Sequence, residues 1–239
     1  MKQHIASLFN KVIIHNSFSH CWIPGTPQFS FAKRLGFKDE NILSGFYSCD
    51  FDRFNALFAQ NREHKVTKFP HRFIYVGRYT KSKGVLDLWA AFIELQKEIP
   101  NDWELWCLGT GDIMPVKHDK IRHFGFVQPN NLEPVVKDTG VFILPSIFEP
   151  WGVALHEFAS AGFSLICSTK VGAASVFLKE AENGILFEAG NTTRLKEAMR
   201  KIISLSDEKL FLMGTKSAEL ARQITPEKWA DTLLSVKIN

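Results

Sequence analysis

Two carboxylates frame the stretch FEPWGVALHE. Glu149 stands directly after a strand-like run, VFILPS, and Glu157 follows eight residues later. If the segment after Glu149 is helical, Pro150 suits its first position, where a missing N–H costs nothing. The N–H groups of Gly152 and Val153 would then face outward at the positive end of the helix, beside Trp151, which makes a phosphate site. Eight helical residues rise about 12 Å, so the two acids stand well apart along the axis. That separation fits one extended ligand with a hydroxyl-bearing group at each end and phosphate between. The plainer alternative is dipole pairing for Glu149 and a solvated surface position for Glu157, but it leaves the FEPWG loop unexplained.

A second cluster is GRYTKSKG, Gly77 to Gly84. A strand ends at Gly77, and Arg78 and Lys83 flank a polar turn that opens a helix. Two cations with helix N–H groups make an anion cradle of the kind a diphosphate fills, although two solvated loop cations would have the same sequence. GTGD, starting at Gly109, is a glycine turn after another strand. In FGFV the strand ends near Phe126 and Val127, where backbone groups could meet a base edge or simply close a core strand. Asp50-Phe51-Asp52 forms a DxD, a pattern that holds a divalent cation in other transferases, but it is weak here. His156 reads as a packing or capping residue. No nucleophile–base set has a defensible spacing, and GxGxxG is absent.

The elements that would position these groups alternate strand and helix, which predicts an α/β fold with a parallel sheet. Strands are expected at RFIYVG, WELWCLG, IRHFGFV, VFILPS, SLICS and NGILF. Helices are expected over Gly84 to Ile99, from Asn131 to Lys137, after Glu149, and from about Thr193 to Leu234 with a break or start at Pro226. Residues 1–60 form a smaller α/β patch: strand CWIP, helix Gln28 to Leu35, strand NILSG, then DFDRF. The polar stretch Gln60 to Lys68 reads as a linker, so the expected organisation is 1–60, a linker at 61–70, a main domain at 71–225 and a terminal helix at 226–239. That helix is expected to return toward the N-terminal part.

The 239 residues are 45% hydrophobic and 23% charged, with a formal charge of +4 and no block of like charge. This is a globular composition, too mildly basic to claim nucleic acid, though compatible with an anionic ligand or a membrane surface. The four cysteines lie far apart without a CxxC, as expected for reduced thiols. The first residues, MKQHIASLFNKVIIHNSF, lack the apolar core and cleavage site of a secretory signal. A cytoplasmic protein is therefore expected.

With both cradles in view, the chain resembles a retaining glycosyltransferase of the GT-B fold, family 4. GRYTKSKG, GTGD, FGFV and EPWGVALHE, then ASAG, NGILF and a helical tail, match that family's motifs in order over about residues 70 to 239. Phe163-Ser164 departs from the proline usual after AxxG. The resemblance implies a Rossmann-like, C-terminal donor-binding domain, with IPGTPQFSFAKRLGF and NILSGFYSCDFDRF resembling the last strand–helix–strand of a preceding acceptor domain. It implies that Arg78 and Lys83 neutralise the donor diphosphate, that Glu149 contacts the transferred sugar and that Glu157 binds the ribose, with no metal and no other cofactor. Glu149, Arg78 and Lys83 would be catalytic. Gly77, Gly109, Phe126, Val127, Pro150, Trp151, Gly152 and Val153 would line the substrate.

The expected activity is that of a hexosyltransferase (EC 2.4) in polysaccharide biosynthesis. It would act with retention on a saccharide or lipid-linked acceptor, from the cytoplasm or the inner membrane face. A non-catalytic nucleotide-sugar-binding subunit is the main rival, ahead of an isomerase or phosphorylase and of a metal-dependent transferase. Residues 1–60, with Phe9, Val12, Ile13, Trp22, Phe29 and Phe31, are expected to pair with a second copy or a partner chain.

Overall fold

The structure is a computed structural model that describes residues 17–236; Phe9, Val12 and Ile13 lie outside the described residues. The N-terminal patch holds strand β1 (Cys21–Trp22), helix α1 (Phe29–Arg34) and strand β2 (Ile42–Leu43). β1 and β2 pair in parallel, Cys21 against Ile42 and Trp22 against Leu43. Helix α2 (Phe51–Thr67) follows, and here the structure corrects the sequence reading. The stretch expected as a linker from Gln60 is helical through Thr67. Its buried stripe runs Phe51, Phe54, Leu57, Asn61, Lys65. The spacing is helical, but two polar residues complete the stripe.

The main sheet has six parallel strands: β3 (Arg72–Val76), β4 (Glu104–Leu108), β5 (Ile121–Gly125), β6 (Val141–Leu144), β7 (Ser164–Ser168) and β8 (Gly184–Phe187). Their spatial order is β5-β4-β3-β6-β7-β8. The helices are α3 (Val85–Glu98), α4 (Glu133–Lys137), α5 (Val153–Ser160), α6 (Ala174–Phe177), α7 (Thr192–Ile203), α8 (Asp207–Ala221) and α9 (Pro226–Leu234). Alternate residues of each strand feed the two faces, as the period of a strand requires. Phe73, Tyr75, Val141 and Ile143 join Leu88, Phe92, Leu195 and Met199 of α3 and α7 in one core. Ile74, Phe142, Leu144, Leu165 and Cys167 join Phe54, Leu155, Phe158 and Ala221 in the other.

The chain builds outward from β3 through β4 to β5, then crosses back so that β6 lies on the other side of β3. The switch point is therefore the gap between β3 and β6. In open α/β sheets, ligands bind outside the carboxyl ends of the strands at such a point. The loops after β3 and β6 are the two that carry GRYTKSKG and FEPWG.

Candidate active site

Glycines bring the strand ends close enough to form one floor. Gly109, at φ 138°, packs so tightly on the β3 end that a Cβ would come within 1.9 Å of the Gly77 carbonyl oxygen. Its N–H donates to the Gly125 carbonyl at 2.7 Å, and the Gly77 N–H donates to Leu108 at 3.0 Å. The Tyr75 hydroxyl donates to the Arg78 carbonyl at 2.8 Å, fixing the backbone from which that guanidinium extends.

Gly84 does the same for the second cation. It has φ 68°, and a Cβ there would lie 2.1 Å from the Pro145 carbonyl oxygen. Only glycine permits that approach of the Lys81–Lys83 turn to the loop after β6. The Ser82 carbonyl then accepts from the N–H groups of Ile147 and Phe148, at 2.9 and 3.2 Å. Lys83 is thereby held beside Glu149, and its ammonium donates to a Glu149 carboxylate oxygen.

Arg78, Lys83, Glu149, Gly152 and Val153, with Val76, Gly77, Leu144 and Ala154, line a cavity of about 280 Å³. A second cavity of about 200 Å³ shares Val76, Gly77 and Arg78 and continues to Gly109, Thr110, Phe126 and Val127. Nine of the expected residues thus meet along one groove. Phe126 is 69% exposed, an apolar ring offered to solvent at its far end. Val76, Leu108, Leu144 and Ala154 were missed. The signal for them was their place as the last strand residue or the next motif residue, since strand ends build the floor.

The local shape of FEPWG differs from the expectation. Helix α5 begins at Val153, with Gly152 as its N-cap at φ 97°. Pro150 is therefore not the first helical residue, and Glu149 precedes the helix by a full loop. Only the last four of the eight steps to Glu157 are helical, a rise of about 6 Å rather than 12. Gly152, Val153 and Ala154 at the start of α5 still line the first cavity, and the first N–H groups of a helix have no partner four residues back. Pro150 is exposed, and its carbonyl accepts the Gln28 amide at 2.8 Å. Trp151 is buried, edge-on to Phe177. Neither lines the groove.

Glu157 lines neither cavity. It lies one turn beyond Val153 on the same helical face. Burial and the nearby Asp50 carboxylate raise its pKa, against the opposing pull of Arg53. Asp50 itself is the N-cap of α2, and Asp52 sits in that helix's first turn. Among the described residues, no three His, Cys, Asp or Glu side chains group so as to hold a metal ion. His156 is a packing group. Its Nδ1 accepts the Cys49 N–H at 3.2 Å, its Nε2–H donates to Ala221 at 3.0 Å, and its ring stacks on Phe177. Burial lowers its pKa to about 4, so it stays neutral.

Both the sequence and the fold have counterparts among known proteins. Residues 70–205 match the family described as glycosyl transferases group 1. The chain belongs to that family. An uncharacterised glycosyltransferase of Methanocaldococcus jannaschii is 27% identical over 141 residues, covering 55% of this chain and 35% of that protein. The lipopolysaccharide core biosynthesis glycosyltransferase LpsE of Rhizobium meliloti is 24% identical over 170 residues, covering 67% and 48%. This group 1 glycosyltransferase chain thus spans between a third and a half of these relatives' lengths. The crystal structure of Anabaena HepE with UDP and glucose aligns with a TM-score of 0.69 at 15% identity, over 99% of this chain and 69% of that one. That likeness establishes a GT-B-type α/β fold. No helix among the described residues is long and apolar enough to cross a membrane.

Proposed function

We propose that the groove binds a nucleotide-activated hexose, and that the chain is the donor half of a retaining hexosyltransferase acting on a saccharide or lipid-linked acceptor at the cytoplasmic side of a membrane. The supporting observation is that Arg78, Lys83, Glu149 and the start of α5 all reach one cavity at the switch point. Arg78 and Lys83, with the N–H groups of Gly152 and Val153, take the diphosphate. Glu149 takes hydroxyls of the hexose. Glu157, one turn along α5, takes the ribose, and Phe126 and Val127 receive the base. LpsE is named a glycosyltransferase of lipopolysaccharide core biosynthesis and the HepE structure holds UDP and glucose, which supports this ligand class.

Catalysis in this reading is mainly electrostatic: two cations and a helix N-terminus stabilise charge on the departing diphosphate. The acceptor attacks on the face the leaving group vacates, and a diphosphate oxygen helps take its proton. The same charges make a divalent ion unnecessary. Ligand-observed NMR and calorimetry against a panel of nucleotide sugars test the proposal, with and without EDTA. A charged hydrogen bond is worth about 1.5–3 kcal/mol, so Arg78→Ala with Lys83→Ala should weaken binding tenfold or more. Unchanged affinity in the folded double variant would remove the assignment. Binding lost to EDTA and restored by magnesium would return the argument to Asp50 and Asp52.

A further inference from the structure

We propose that Glu149 makes the site discriminate against the spent nucleoside diphosphate, by competing with it for Lys83. The proposal rests on the donor assignment above and deepens it. Lys83 and Glu149, which both line the cavity, hydrogen-bond to each other, and their side chains are only 21% and 14% exposed. Their backbones are pinned. On the lysine side, the Ser82 carbonyl holds two N–H groups of the facing loop. On the acid side, the Glu149 N–H donates to Lys170 at 3.3 Å, and its carbonyl accepts from Gly172 at 3.1 Å. Only the side chains can part.

A diphosphate entering the cradle draws the Lys83 ammonium toward its own oxygens. Glu149 is then a mostly buried carboxylate without its cation, which is costly. A hexose on the diphosphate removes that cost, because its hydroxyls donate hydrogen bonds to the carboxylate. A bare nucleoside diphosphate has no donor to offer there. Donor binding therefore exchanges one Glu149 partner for another, whereas product binding strips the partner away. After transfer, re-formation of the Lys83–Glu149 pair helps expel the product.

The test is calorimetry with UDP, GDP and ADP and with UDP-glucose, GDP-mannose and ADP-glucose. The wild-type chain, Glu149→Gln, Lys83→Ala and the double variant are compared, each checked for folding by circular dichroism. For whichever pair binds, Glu149→Gln should tighten the bare diphosphate about tenfold and weaken the sugar-bearing donor. In the Lys83→Ala background the gain for the bare diphosphate should vanish, since the competition needs the lysine. Diphosphate affinity unchanged or reduced in Glu149→Gln overturns the proposal while leaving the donor site standing. A gain that persists without Lys83 overturns it too, since general repulsion would then suffice. If no nucleotide of the panel binds the wild-type chain, the donor assignment itself falls, and this proposal with it.

Discussion

Lys65 buries an amine that no hydrogen bond meets. It is 3% exposed, its Nζ has no hydrogen-bond partner, and it sits 3.8 Å above the Phe163 ring. Burial lowers its pKa from the ordinary 10.5 to about 7. The folded state thus binds this proton less tightly than the unfolded chain. The Lys65 contribution to stability is greatest above pH 10.5 and is lost as pH falls toward 7, below which it stays constant. Lys65→Met should therefore raise stability at pH 7 by at least about 2 kcal/mol, allowing for the lost ring contact. In a domain of this size that is a rise of roughly 4–8 °C in Tm. The gain should shrink toward pH 10.5, and scanning calorimetry showing an equal gain at both pH values would refute the account. The same residue explains a gap in the sequence reading: Asn61 and Lys65 stand where a helix would show apolar residues, so the second half of α2, from Gln60, reads as a polar linker. Arg78, Lys83 and Glu149 were legible because each follows a strand end. Their mutual contact was not, since it depends on Gly84 letting two distant loops touch. At Glu157, replacement by alanine should weaken the bare nucleotide and the nucleotide sugar alike, because both contain the ribose. Calorimetry showing loss for the sugar nucleotide alone would move the ribose contact elsewhere.

At the opposite end of the sheet from the groove, His71 ties three elements together. It lies just ahead of β3, stacks on Trp103 just ahead of β4, and bonds Asp102 and Asp207, both at 2.8 Å; Asp207 opens α8. Carboxylates only accept, so both ring nitrogens bear hydrogen when both bonds form, and the ring is then an imidazolium. Burial alone would lower its pKa, but hydrogen bonds and charge from Asp207 and Asp102 outweigh that and raise it. A raised folded pKa gives stability that is complete below the unfolded value, near 6.5, and is lost as pH rises through the folded value. His71→Asn should therefore lower Tm more at pH 6 than at pH 9. A difference independent of pH would mean the two bonds contribute as neutral contacts only. This clasp escaped the sequence reading because its members are 31 and 136 residues apart. The strands were legible, since runs such as RFIYV and VFIL are rich in β-branched and aromatic residues and bounded by turn residues. The start of α5 was misplaced because the glycine N-cap at Gly152 overrode the preference of Pro150 for a first helical position. Helix α6, four residues long, is too short to show any period.

The N-terminal patch and α9 meet through a group of rings. Trp22 stacks on Trp229 at 4.8 Å and meets Phe46 edge-on at 5.5 Å, while the Trp229 indole N–H donates to the Phe46 carbonyl at 2.9 Å. Elsewhere on these two segments, Phe29, Phe31, Leu233 and Leu234 are exposed, as are Phe46 and Tyr47 beside the rings. Single apolar residues are ordinary on a surface, but apolar rings and leucines concentrated on two segments that meet favour a partner. The patch should therefore drive self-association or pairing with a second chain. Light scattering across a dilution series should show a mass that rises with concentration, and Phe31→Glu with Leu234→Glu should return the chain to monomer. The two groove cavities are lined entirely by residues between Val76 and Ala154, so that double variant should bind a nucleotide sugar as well as the wild type. Transfer asks for more than donor binding. An acceptor hydroxyl must be held against the anomeric carbon, and positioning of that kind can be worth about 7–11 kcal/mol. In the proposed reading, the residues that line the groove are taken up by the donor. A monomeric preparation should accordingly bind the donor and hydrolyse it slowly, with little glycosyl transfer. Mixing in the chain that covers the patch should raise transfer while leaving donor affinity nearly unchanged. Efficient transfer by the strictly monomeric double variant would show instead that these 239 residues hold an acceptor by themselves.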